Sequence, residues 1–100
     1  MNAIALDLML LTELPAATRG SQEAYGRIVH ACQNTVTAIA LAITRDVQAS
    51  EDIAQEAFLK AWQQLDRLKN SASFLPWLRQ ITRNLARDWL RAQHGRPMSG

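Results

Sequence analysis

The sequence predicts an all-α fold, a compact bundle of about four helices, and three features point to it. Apolar residues recur at spacings of three and four through most of the chain, the period of a helix. No Val/Ile/Thr-rich run alternates with period two, and no Asn-Gly or Asp-Gly pair marks a hairpin turn. At 100 residues, 48% hydrophobic and 20% charged, the chain holds enough material for one core and too little for two. Four glycines and three prolines are too few for a disordered low-complexity tract.

The first helix is predicted over about 3–14, stopping before Pro15, because a residue that precedes proline is pushed out of the α region. Residues 3–11 are strongly apolar, but no Lys or Arg precedes Arg19 and Asp7 interrupts the run, which argues against a secretory signal. The run is also about half of the roughly 20 apolar residues that a membrane span needs. The expectation is a cytoplasmic protein with no membrane insertion, its first helix packed into the core or onto a partner. A link over 15–21 follows.

The second helix is predicted from about Gln22 to Thr44. Its apolar stripe is Tyr25, Ile28, Val29, Cys32, Val36, Ile39, Ala40 and Ile43. Cys32 lies inside the stripe and reads as a small core residue; His30 points elsewhere and reads as a solvated surface residue. One cysteine excludes an internal disulfide, and with only His30 and His94 beside it no four-ligand zinc site can be assembled. No metal or cofactor is expected.

The third helix is predicted over about 47–65, capped by Asp46 or Ser50, with Glu51 and Asp52 suited to the positive end of the helix dipole. Ala54, Ala57, Phe58, Ala61, Trp62 and Leu65 form the inward stripe, with Ile53 at its edge. Asp52, Gln55, Glu56, Leu59 and Gln63 fall on the opposite face. A leucine ringed by acids and amides has the look of a docking anchor.

The fourth helix is predicted from near Phe74, capped by Ser73 and tolerating Pro76 in its first turn, to about Arg91 or Ala92. Phe74, Leu78, Ile81, Leu85 and Trp89 cluster on one side. Arg79, Arg83, Arg87 and Arg91 are four apart, the first three almost opposite that stripe. Residues 95–100 read as a disordered linker or tail.

Charge is segregated along the chain. Residues 1–65 carry four cations against seven acids, a net of −3; residues 66–100 carry seven against two, a net of +5. Two partners are implied, the second a polyanion, unless these are simply solvated faces. Arginines four apart on a helix form a row of positive charge at about 6 Å steps, close to the phosphate spacing of a nucleic-acid strand. Trp77, Asn84 and the polar loop 66–73, which includes Arg67, Lys69, Asn70 and Ser71, lie beside this row. Aromatics and amides at a basic surface suit unstacked bases; Trp77 fits equally a partly buried core position, and Trp62 and Trp89 fit core stripes better.

These residues resemble a known family. Glu51-Asp52-Ile53-Ala54-Gln55-Glu56-Ala57-Phe58-Leu59-Lys60-Ala61-Trp62, then Ser73-Phe74-Leu75-Pro76-Trp77-Leu78, then Ile81-Thr82-Arg83-Asn84-Leu85-Ala86-Arg87-Asp88 are similar to region 2 of the extracytoplasmic-function (ECF) sigma factors of bacterial RNA polymerase. Gly20 through Tyr25 resembles the family's entry into that region, and the likeness extends over about residues 8–92. The resemblance implies that Asp52, Gln55, Glu56, Leu59 and Gln63 dock on the clamp-helix coiled coil of the polymerase's largest subunit. It implies that loop 66–73 captures a base flipped from the non-template strand of the minus-ten promoter element. The fourth helix, with Asn84 and its arginines, would hold the opened strand. An anti-sigma factor is a further implied partner.

Two departures stand out. The family's second domain, region 4, has no counterpart after Arg91, which implies an isolated domain over residues 1–94 or a shortened chain. Pro76 and Arg87 differ from common members. Two other functions compete with sigma activity: a duplex-binding helical regulator with its fourth helix in the major groove, and an interaction module that binds an acidic protein. An enzyme is the weakest option, since no nucleophile–base pair, metal-ligand spacing or phosphate-cradling glycine loop is present.

Overall fold

Four helices make up most of the computed structural model, which describes residues 3–94: α1 (Ala3–Thr18), α2 (Gln22–Thr44), α3 (Val47–Gln63) and α4 (Phe74–His94). Two short 3₁₀ turns, Leu65–Arg67 and Ser71–Ser73, connect α3 to α4, and no strand occurs among the described residues. The predicted tail over 95–100 lies outside the described residues.

Local chemistry sets the helix ends. The Ser21 hydroxyl accepts from the Ala24 N–H at 3.2 Å and opens α2. The Asp46 carboxylate accepts from the Ala49 N–H at 2.8 Å and opens α3, so Asp46 is the cap. Ser50 is instead buried within α3, its hydroxyl donating to the Val47 carbonyl at 2.7 Å. Gly20, at φ 101°, closes α1: its N–H bonds the Ala17 carbonyl at 2.9 Å and the Ser21 N–H bonds the Ala16 carbonyl at 3.0 Å.

α2 lies at the centre and packs against the other three helices. Its Ile28, Cys32 and Val36 meet Leu10 and Leu14 of α1, Ala54, Ala57 and Ala61 of α3, and Phe74 and Leu78 of α4 in one core. The α3 alanines permit a close approach, since interhelical distance follows side-chain size at the contact. A smaller cluster of Ala40, Ile53 and Ala86, flanked by Trp89, closes the far end. The Tyr25 hydroxyl donates to the Phe58 carbonyl at 2.5 Å, and its ring centroid lies 4.8 Å from that of Trp62. Burial pushes the Tyr25 phenol above its ordinary pKa.

Several boundaries differ from expectation. α1 does not stop before Pro15 but runs through it to Thr18, so the link shrinks to Arg19–Ser21. Proline removes one hydrogen bond, yet Leu14 and Ala17 on either side are buried, and the Arg19 N–H bonds the Pro15 carbonyl at 3.2 Å. Inward packing holds the turn in place. Arg27 of α2 pairs with Glu13 of α1 and ties the two helices together at the surface. α3 ends at Gln63 rather than 65, with Leu65 buried in the turn that follows, and α4 extends to His94.

The apolar side of α4 is also rotated from the predicted one. Its buried line is Phe74, Leu78, Thr82 and Ala86, while Ile81, Leu85 and Trp89 are half-buried. Thr82 sits in the core without cost to polar pairing because its hydroxyl donates to the Leu78 carbonyl at 2.8 Å. No helix is long and apolar enough to cross a membrane among the described residues.

Candidate functional site

The outer strip of α3 is uniformly open. Asp52, Gln55, Glu56, Leu59 and Gln63 are all exposed, and Leu59 keeps 55% of its surface. The Asp52 carboxylate accepts from the Gln48 side-chain amide at 3.1 Å. A cleft of about 270 Å³ between α2 and α3 adjoins the strip, lined by Gln22, Tyr25, Phe58, Leu59 and Trp62. A wider groove of about 730 Å³ runs along the same helix pair and includes Gln33, Asn34, Glu51 and Gln55. The combination is an acid–amide surface with an apolar notch, suited to a partner helix that offers cations and one apolar anchor.

The second surface begins in the loop after α3. Asn70 turns the chain: its side-chain oxygen accepts from the Ala72 N–H at 2.8 Å and its carbonyl accepts from the Ser73 N–H at 2.9 Å. Arg67, Lys69 and Asn70 are exposed and Ser71 is half-buried. Trp77 is half-buried too, its ring 6.1 Å from that of Phe74, so it is partly core and partly open. Trp62 and Trp89, expected within core stripes, share that intermediate exposure.

The arginine row is less open than the spacing suggests. Arg79 and Arg83 are half-buried, Arg87 and Arg91 are exposed, and Arg91 pairs with Asp88. The cause is the rotated core line of α4: centring burial on Thr82 draws the first two arginines onto the flank. Arg79 lies close enough to Cys32 to pull that thiol's pKa down, but burial dominates and pushes it up to about 11. Cys32 is thus an inert core thiol. Asn84 is exposed, accepts from the Gln80 side chain at 2.9 Å, and borders a cleft with Lys60, Gln64 and Asp88.

One cleft was not anticipated. Asp7, Leu10 and Leu11 of α1 face Asn70, Ser71 and Ala72 of the turn and Leu75 of α4 across about 320 Å³. The only trace of it in the sequence is a single acid set in an apolar run.

Residues 28–96 match the family described as Sigma-70 region 2. The chain belongs to that family. The region 2 domain is 75% identical over its 100 residues to a probable RNA polymerase sigma factor, RfaY, of Xanthomonas campestris, covering all of this chain and 25% of that protein. It is 35% identical over 83 residues to the ECF RNA polymerase sigma-E factor of Escherichia coli, covering 81% of this chain and 42% of that one. The chain therefore spans less than half the length of these relatives. Among solved structures, an engineered region 2 of sigma-E in complex with GTAAAA superposes with a TM-score of 0.78 at 28% identity, covering 99% of this chain and 100% of that one. This region 2 domain therefore shares its fold with that structure.

Proposed function

We propose that this region 2 domain couples docking on RNA polymerase to recognition and melting of the minus-ten promoter element. α3 grips the clamp helices of the largest subunit through Asp52, Gln55, Glu56, Leu59 and Gln63, with Leu59 as the apolar anchor beside the Tyr25–Trp62 notch. α4 and loop 66–73 hold the non-template strand. Arg67, Lys69, Arg79, Arg83, Arg87 and Arg91 offset phosphate charge, and the open part of Trp77 stacks on a base. With its side-chain oxygen engaged by Gln80, Asn84 offers its amide N–H to a base acceptor.

The observation that best supports this is the likeness, along nearly the whole chain, to a region 2 solved with GTAAAA. Melting follows from the energetics. Unstacking costs a few kcal/mol per base, and stacking on an aromatic side chain contributes about 1–3 kcal/mol per base. A surface that engages bases only when they are unpaired favours the open strand. An anti-sigma factor that occludes the α3 strip would switch the domain off.

Fluorescence anisotropy at matched salt, with single-stranded and duplex minus-ten oligonucleotides, tests the proposal. The single strand should bind more tightly. Equal affinity, or tighter binding of duplex, would instead favour a duplex-binding regulator.

A further inference from the structure

α1 carries more apolar surface than its seat on the bundle uses. Leu10, Leu14 and Ala17 form its buried line. On its flank, Ile4, Leu8 and Leu11 keep 72%, 59% and 60% of their surface in water. A helix that is apolar on more than one side is ordinarily covered on each of them, and among the described residues nothing covers this second side. We infer that the row is a self-association surface, through which α1 pairs antiparallel with α1 of a second copy of this chain. None of its residues belongs to the strip on α3 or to the basic side of α4, so the inference stands apart from the function proposed above.

Charge, spacing and area select that occupant. Residues 1–18 hold Asp7 and Glu13 and no Lys or Arg, which disfavours a nucleic acid or an anionic lipid surface. Glu13 is already paired with Arg27 of its own chain, so Asp7 is the one acid left beside the row. A nearly neutral apolar face is matched best by another of the same kind. The steps of four and then three from Ile4 to Leu8 to Leu11 are those of alternating d and a positions, through which like helices interlock. Exposed Pro15 continues the row by a further step of four. Three large side chains make a patch on the order of a few hundred Å², short of the roughly 800 Å² per partner of a stable interface. The pair is therefore a weak dimer in equilibrium with the single chain.

Asp7 also sets the direction. In a parallel pair each Asp7 would lie level with Asp7 of the second copy, and the two carboxylates would repel. In an antiparallel pair Leu8 packs on Leu11 of the second copy and Ile4 on its Pro15, and the two-fold axis repeats both contacts. Asp7 then lies level with Thr12 of the second copy, which moves the two carboxylates about 7.5 Å apart along the axis. Thr12 brings no unsatisfied donor to the seam, because its hydroxyl donates to the Leu8 carbonyl of its own helix at 3.2 Å. The two helix dipoles oppose each other in this direction, which is the favourable arrangement.

Sedimentation equilibrium of the 100-residue chain tests the inference, at loadings from about 10 μM to about 1 mM, the range of a weak complex. The weight-average mass should climb from that of one chain towards that of two. Raising sodium chloride from about 0.1 M to about 0.5 M should hold or tighten the dimer, since an apolar seam is not screened as a charged one is. Leu8→Asp and the neutral Leu8→Ser should both keep the chain single, with circular dichroism confirming helicity; if the aspartate variant loses helicity, the serine variant decides. Leu59→Asp, on the α3 strip, should dimerise like the wild type. The direction is read by mixing equal amounts of Leu8→Cys and isotope-labelled Leu11→Cys chains with oxidised glutathione. The mixed disulfide should exceed the half share that random pairing gives. A chain that stays single at every loading overturns the inference. So does association that survives the Leu8 variants, that Leu59→Asp abolishes or that salt dissolves, and an excess of like disulfides overturns the antiparallel pairing.

Discussion

The outward faces of α3 and α4 are both polar, yet they are built differently. In α3 the buried side is broad, from Ala49 and Ser50 through Ile53, Ala54, Ala57 and Phe58 to Ala61, and it leaves a sharply bounded strip in which every member is exposed. In α4 the buried line is one residue wide, at strict four-residue steps from Phe74 to Ala86, and half-buried side chains flank it on both sides. Arg79 and Arg83 are among them. The α3 strip is a surface laid over a finished core. Half-buried, Arg79 and Arg83 belong to the packing as well as to the charge, as long cationic side chains can. Mutations should read differently on the two helices.

The largest effect erases the comparison. Phe74→Ala removes a fully buried ring from the shared core and should lower stability by about 3–5 kcal/mol, measured by urea unfolding, with both faces lost together. Next is the combined Asp52→Ala, Gln55→Ala and Glu56→Ala variant. Polymerase binding should fall at least about tenfold, the scale of lost interface hot spots, while the melting temperature and single-strand affinity hold. Loss of both activities in a folded variant would dissolve the division between the helices. Smaller still is the contrast within α4. Arg87→Ala should weaken single-strand binding a few-fold and reduce the salt slope by about one, with no change in unfolding. Arg79→Ala should move the unfolding midpoint as well.

The last effect appears only at alkaline pH and concerns the core beside Arg79. Burial favours the neutral thiol of Cys32 in the folded state, raising its pKa from 9.0 to about 11. The unfolded chain therefore releases its proton first, and stability is retained below pH 9.0 and declines from there to about 11. Cys32→Ala should abolish the onset near pH 9 and leave the later decline that Tyr25 causes, followed by thermal unfolding across that range.

The sequence made the body of α2 legible, because its apolar period is unbroken from Tyr25 to Ile43. The outward strip of α3 was legible for the same reason. The end of α1 was not, since proline's local preference is weaker than the burial of Leu14 and Ala17, and burial depends on partners that a linear reading lacks. The centre of α4 was missed because threonine counts as polar; Thr82 becomes a core residue only once its hydroxyl bonds within its own helix. The α1 cleft joins residues some sixty positions apart, so no local pattern could announce it. Arg45, the left-handed residue that ends α2 at φ 57°, carries no signal either, as glycine would.

Tyr25 links these parts mechanically. Its hydroxyl grips the backbone of α3 at Phe58, one residue before the exposed Leu59, and its own helix touches every other helix in the molecule. The α3 strip is thus tied to the central helix by a buried hydrogen bond as well as by packing. Under the proposed docking, a twist applied at α3 would reach α4 through that hydrogen bond and the shared core.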